Sequence, residues 1–239
     1  MYPFRYERPR DVAEAVRLLQ AHPQARPLSG GMTLVPTLKH RLARPSHLVD
    51  LSRLDALRGI ACQGKVLRIG AATPHAQVAA SPVVRQAIPA LAELAGVIGD
   101  AQVRQRGTIG GSIANNDPAA DYPSAVLGLG ATVVTDRRRI AGDAFFTGMF
   151  GTALEAGEIV TAVEFPQPLR AAYCKHRHPA SGYALVGVFL AETREGVRVA
   201  VTGAASCVLR WTAAEARLNA AAERSDDVVQ GLQLAPEGL

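Results

Sequence analysis

Residues Gln102–Pro123 read QVRQRGTIGGSIANNDPAADYP, and at their centre stands Thr108-Ile109-Gly110-Gly111-Ser112-Ile113-Ala114. An earlier stretch, Leu28-Ser29-Gly30-Gly31-Met32-Thr33-Leu34, repeats the plan: a Gly-Gly pair, then a small hydroxyl residue and an apolar run. Glycine tolerates positive φ and lets a backbone approach phosphate closely, so successive N–H groups can converge on its oxygens. A helix starting at such a pair adds unpaired N–H groups and a positive dipole end. Arg26 precedes one loop, and Arg104 and Arg106 precede the other. Two such loops facing one diphosphate would make the chain a nucleotide-cofactor binder.

Around these loops the sequence predicts alternating helices and strands. Asp11-Val12-Ala13-Glu14 has the form of a capping box, and Val12, Ala15, Val16 and Leu19 recur at helical spacing. Ala25–Leu28 is a short strand delivering the first glycine pair, and Thr33 is placed to cap a helix carrying Leu34, Leu38 and Leu42. His47–Leu51 and Lys65–Ala71 read as strands, while Thr73-Pro74 and Ser81-Pro82 read as caps followed by proline. Pro89–Ile98 is helical, and Asp121 is placed to cap a helix over Pro123–Leu129. Ala131–Thr135 and Glu158–Phe165 are strands, and Phe165-Pro166-Gln167-Pro168 is the best linker. Beyond it, Tyr173–His178, Tyr183–Glu192 and Val197–Ala204 predict an antiparallel sheet, with an Ala-rich helix at Thr212–Ala222. The expected division is a cofactor domain at 1–167, with an inner boundary near 53–57, and an α+β domain at 168–239.

Composition narrows the class. The 239 residues carry a net charge of +5, 48% hydrophobic and 5% aromatic residues, so the core is aliphatic. No apolar run reaches bilayer length, and the N-terminus lacks the charged-then-apolar plan of a secretion signal, which predicts a cytoplasmic chain. Cys62, Cys174 and Cys207 are odd in number and widely spaced, so no disulfide framework or four-cysteine cluster is encoded. Arg137-Arg138-Arg139 reads as a solvated hairpin turn, with no interleaved aromatics to suggest nucleic acid. Gly59–Lys65 imitates a P-loop, but Val66 replaces the magnesium-binding hydroxyl and a strand follows, so it reads as a hairpin turn. Gly128-Leu129-Gly130 precedes a strand instead of following one and lacks the third glycine of a dinucleotide fingerprint. His176 and His178 have no partner at metal-ligand spacing.

With these segments in view, the chain resembles the FAD-binding medium subunit of molybdenum hydroxylases, the group of aerobic carbon monoxide dehydrogenase and the FAD portion of xanthine dehydrogenase. The resemblance is carried by Phe4–Pro9 (FRYERP), Ala25–Leu42 (ARPLSGGMTLVPTLKHRL), His47–Leu51 (HLVDL), Ile69–Thr73 (IGAAT), Gln102–Pro123 and Gly157–Pro166 (GEIVTAVEFP). It implies an α+β fold: a two-part PCMH/VAO-like FAD-binding domain followed by a small, apparently shortened C-terminal α+β domain. It places Ser29, Gly30, Gly31, Met32, Thr33, Thr108, Ile109, Gly110, Gly111 and Ser112 on the FAD diphosphate, with Ile109 close to the isoalloxazine. Asn115 and Asp121 match cofactor-contacting positions, Thr73 lies in a cleft-lining segment, and Lys175 matches a basic residue near the flavin. A positive charge there would stabilise the anionic reduced ring. Gln105, Asn116, His176 and Gly182 depart from the residues usual at their positions.

What the resemblance implies about function is an oxidoreductase subunit that relays electrons. A molybdenum-cofactor large subunit would oxidise substrate, 2Fe-2S clusters on a small subunit would pass single electrons to this flavin, and an external acceptor would receive them. The assembly expected is a dimer of heterotrimers, with molybdopterin and iron–sulfur clusters on the partners only. This chain carries neither a metal site nor catalytic acid–base residues in that picture. Two rivals remain: a self-contained FAD-dependent oxidoreductase, for which Tyr183 and Ser206 are the candidate proton donors, and a cofactor-free scaffold subunit.

Overall fold

The computed structural model describes residues 1–221 and 226–234. Three sheets carry the architecture. The first is a small parallel sheet in which β3 (His47–Asp50) lies between β1 (Arg5–Glu7) and β2 (Arg26–Leu28). Parallel neighbours need a crossover, and α1 (Val12–Ala21) supplies it between β1 and β2. Its start is fixed by Asp11, whose carboxylate accepts from the Glu14 N–H at 2.7 Å. The reciprocal half of the predicted capping box is displaced by one residue, because Glu14 accepts from the Arg10 N–H at 2.8 Å. Helix α2 (Leu34–Lys39) follows the first glycine loop. Thr33 stands at its N-cap without capping it through its side chain, contrary to the sequence expectation, since its backbone is already helical.

The second sheet is antiparallel, in the order β4 (Ile60–Gln63), β5 (Val66–Gly70), β10 (Val160–Pro166), β6 (Thr132–Thr135) and β7 (Arg139–Ala141). The helices α3 (His75–Ala80), α4 (Pro82–Ala87), α5 (Pro89–Gly96), α6 (Ala101–Arg106), α7 (Ile109–Asn115) and α8 (Tyr122–Gly128) lie between β5 and β6 in sequence. Leu67, Ile69, Val133, Val163 and Phe165 of the sheet join Leu91, Ile109, Ile113 and Val126 of the helices in one buried core. Ser81 caps α4 as expected, whereas at Thr73-Pro74 the helix starts one residue later, with Pro74 as N-cap. Helix α6, capped by Asp100 through the Val103 N–H at 2.7 Å, is absent from the sequence reading, its six residues being too few to show an apolar period.

A two-stranded ribbon, β8 (Phe146–Gly148) with β9 (Gly151–Thr152), precedes β10. The third sheet then begins four residues after the second ends: β11 (Arg170–Arg177), β12 (Ala184–Thr193), β13 (Gly196–Thr202) and β14 (Leu209–Arg210), all antiparallel. Strand β12 shows why it holds two layers together. Its Phe189 and Ala191 point into the main core, while Val188 and Leu190 pack with Ala214 and Leu218 of α9 (Thr212–Ala220) on the opposite face. Ala222, where that helix was expected to end, lies outside the described residues. No helix among the described residues is long and apolar enough to cross a membrane.

The Arg137–Arg139 segment is the exposed hairpin turn expected from sequence, between β6 and β7, and its arginines are in addition ion-paired. Arg138 donates to both oxygens of Glu158, from Nε at 3.0 Å and Nη2 at 2.9 Å, while Arg139 pairs with Glu164. Glu158 is fully buried at its side chain and also accepts from the Thr135 hydroxyl at 2.7 Å and the Glu155 N–H at 2.8 Å. These donors, Arg138 foremost, hold its carboxyl down at about 2. A depressed carboxyl stabilises the fold above its unfolded value and loses that contribution as pH falls toward its folded value. Glu158→Gln is therefore expected to cost about 1–2 kcal/mol near pH 7, the exposure of Arg138 limiting the figure. Urea unfolding checks it: the gap between the two proteins narrows as pH falls from about 5 toward 2, and a pH-independent gap would refute this account.

Candidate functional site

The first glycine loop and the start of α7 meet face to face beside a cleft of about 1020 Å³. Gly30 is the point of contact: a Cβ there would lie 2.0 Å from the Arg106 carbonyl oxygen and 2.9 Å from the Gly107 Cα. A Ser29–Thr108 hydroxyl bond of 3.1 Å ties the loops together. Gly31 has φ +75°, the left-handed backbone that turns the chain back toward α2. The opposite rim is formed by residues 180–183, in the β11–β12 hairpin of the third sheet.

The two loops divide the labour. The backbone N–H groups of Ser29, Gly30, Gly31, Met32 and Thr33 have no acceptor among the described residues, and all these residues line the cleft. Such a run of free donors is an anion-binding concavity. The second loop departs from the expected cradle. Its Ile109 N–H donates to Thr73 O at 3.2 Å, Gly110 N–H to Ala71 O at 2.9 Å, and Gly111 N–H to the capping Thr108 Oγ1 at 3.2 Å. Gly110 is glycine for packing, since a Cβ would approach the Ala71 Cβ to 2.5 Å. Thr108, Gly110, Gly111, Ser112 and Asn115 nevertheless line the cleft, and the Ser112 and Asn115 side chains have no partner among the described residues.

Other predicted positions fall elsewhere. Ile109 is wholly buried in the core, so its side chain is turned away from the cleft. Thr73 is also fully buried and donates to Gly59 O at 3.3 Å. Asp121 reaches the cleft wall but does not cap α8. Its carboxylate accepts from the Tyr173 hydroxyl and, at 3.0 Å, from Lys175 Nζ. Lys175 also donates to Val97 O at 3.2 Å and is 4% exposed at its side chain, so its charge is committed to a buried pair and does not stand free in the cleft. Burial pushes the Asp121 carboxyl up, and Tyr173 and Lys175 pull it back.

Sequence reasoning did not single out His75 and Phe150, which also line the cleft. Phe150 is 57% exposed and held at φ +54°, a strained conformation for a bulky residue. Asn116 imposes it: the Asn116 carbonyl accepts from the Phe150 N–H, and its side-chain amide donates to Gly148 O at 2.8 Å and Gly151 O at 2.6 Å. The departure noted at Asn116 was the available signal. Tyr183 lines the cleft rim, whereas Ser206 does not. His178 caps its own turn, accepting at Nδ1 from the Ala180 and Ser181 N–H groups. No cluster of three metal-ligating side chains occurs among the described residues.

Residues 2–168 match the family model described as FAD binding domain in molybdopterin dehydrogenase. The carbon monoxide dehydrogenase medium chain of Hydrogenophaga pseudoflava is 37% identical over 228 residues, covering 90% of this chain and 79% of that one. The nicotine 6-hydroxylase medium subunit of Paenarthrobacter nicotinovorans is 33% identical, covering 98% of this chain and 82% of its own. Among solved structures, a carbon monoxide dehydrogenase from Hydrogenophaga pseudoflava superposes with TM-score 0.89 at 38% identity, covering 96% and 85% of the two chains. Quinoline 2-oxidoreductase from Pseudomonas putida 86 superposes with TM-score 0.86 at 30% identity, covering 91% and 80%.

Lys175 and Asp121 join the third sheet to the cleft through a pair sealed from water, and removing one partner of such a pair strands the other. Lys175→Met is expected to cost about 3–5 kcal/mol, and Lys175→Met combined with Asp121→Asn less than the sum of the single losses. Urea denaturation of the four proteins checks the cycle; additive losses would show that the two groups do not depend on each other.

Proposed function

The chain belongs to the family of FAD-binding domains of molybdopterin dehydrogenases, the medium subunits of molybdenum hydroxylases, and from that membership we propose that it relays electrons through FAD held in the cleft. The observation that carries the reading is the run of unpaired N–H groups from Ser29 to Thr33, in residues that line a cleft large enough for a dinucleotide. These donors hold the diphosphate. Gly110 and Gly111 keep the facing wall free of side chains, and the Thr33, Thr108 and Ser112 hydroxyls and the Asn115 amide supply polar contacts beside it.

Residues 1–167 act as the FAD-binding domain, with the domain at 168–239 closing over it through Tyr183. Asp121 presents its carboxylate to the cofactor while Lys175 and Tyr173 fix its direction from behind. Thr73 and Ile109 act through the backbone and the core that shape the wall. Bound FAD supplies one- and two-electron chemistry; the protein binds, orients and shields it. Electrons enter from 2Fe-2S clusters of a small partner subunit, after substrate oxidation on a molybdenum-cofactor large subunit, and leave to an external acceptor. The assembly is a cytoplasmic dimer of heterotrimers. Cys62 and Cys174 are exposed and Cys207 partly so, all of them unpaired, which supports the placing of the clusters on a partner.

The purified chain, co-expressed with its partners, is expected to be yellow and to release FAD in a one-to-one ratio on denaturation. Gly30→Val, which forces the loops apart, is expected to lose the bound flavin. A colourless product that refuses added FAD would refute cofactor binding. Steady substrate turnover by the isolated chain would replace the relay with a self-contained oxidoreductase.

A further inference from the structure

His75 opens α3 in the cleft wall and is 4% exposed; its backbone N–H donates to Gly107 O at 2.9 Å, but its imidazole makes no hydrogen bond to any described residue. Its Nδ1 is sealed from solvent without a partner. Packing fixes the ring: it lies against Tyr122 with centroids 5.3 Å apart. Its other edge abuts Gly107, where a Cβ would come within 2.6 Å of Nε2 and 2.9 Å of Cδ2. Burial, aided by the charge of Arg104, lowers its pKa to about 4, so the imidazole is neutral at neutral pH. A neutral ring carries one N–H and one lone pair. A sealed N–H without an acceptor is more costly than a sealed lone pair without a donor. The lone pair therefore sits on Nδ1 and the hydrogen on Nε2.

That assignment puts a neutral donor beside the junction of the two loops. Gly107 touches Nε2 on one side, and on the other its Cα would lie 2.9 Å from a Cβ on Gly30. We propose that His75, through Nε2–H, is a further cofactor-binding residue that donates to a phosphate oxygen of the dinucleotide held by the Ser29–Thr33 loop. The proposal rests on the reading of the cleft as the FAD site. It explains the glycine at 107, since a methyl group there would push the imidazole edge away.

The test uses the full chain stripped of flavin. In the ligand-free wild type, ¹⁵N correlations of the imidazole are expected to show the Nε2–H tautomer, with Nε2 and its proton shifting when FAD is added. His75→Phe is expected to weaken FAD binding about tenfold or more while leaving the ligand-free unfolding temperature near that of wild type. His75→Gln, whose amide can present a donor at nearly the same place, is expected to stay within about threefold of wild type. The ³¹P resonances of bound FAD should shift in His75→Phe. With wild type binding FAD, a His75→Phe protein that binds it as tightly as wild type, an Nδ1–H tautomer, or an imidazole unmoved by FAD would each overturn the role of His75 alone. Wild type that binds no FAD would overturn the reading of the cleft and the proposal with it.

Discussion

Contact between two backbones at Gly30 is the constraint on which the cleft depends. A side chain of any size there would strike the Arg106 carbonyl, so the first loop could not reach the start of α7. With the loops in contact, Ser29 and Thr108 share a hydrogen bond, and the N–H groups from Ser29 to Thr33, in residues lining the cavity, are left without an acceptor among the described residues. The small parallel sheet and the larger antiparallel one are thereby held at a fixed spacing. Ala72 and Ile159, which flank the larger sheet, are buried in the core of the smaller unit and support the same junction from beneath.

A second link brings the third sheet over the cleft. Tyr173 and Lys175 alternate on β11, so both side chains leave one face of the strand and converge on Asp121. Burying this pair costs desolvation, and two hydrogen bonds to the carboxylate together with the Val97 carbonyl on the ammonium offset it. The pair serves orientation more than net stability. Strand β12 completes the link by sending Phe189 into the main core.

The paired glycine motifs, the alternation of strands beyond Pro168 and the caps at Asp11 and Ser81 were legible because each rests on local chemistry. The parts that were not legible depend on long-range contacts. Thr73 and Ile109 belong to motif segments, and only the fold decides which faces of those segments the core takes. Lys175 carries a charge that sequence alone leaves free, whereas its partner lies 54 positions away. The roles of the glycines also separate only in three dimensions. Gly31 is needed for its positive φ, Gly30 and Gly110 for close approach, and Gly107 for the imidazole behind it.

The electrostatics of the wall follow from this division. Asp100, Asp117, Asp121 and Glu158 all line the cleft, and each carboxylate accepts from at least one donor of the protein: the Val103 N–H, the Ala119 N–H, Lys175 with Tyr173, and Arg138. Arg26 is the lining residue with a permanent positive charge, and it sits exposed at the rim. An anion deep in the cleft therefore meets mainly neutral dipoles: backbone N–H groups, hydroxyls and the uncharged His75. Dipoles fixed by the fold need not be desolvated as free cations, and they need not exchange a carboxylate for the ligand. Such a cleft binds a diphosphate by shape and preorganised donors, and its affinity is set by how firmly Gly30 holds the two loops together.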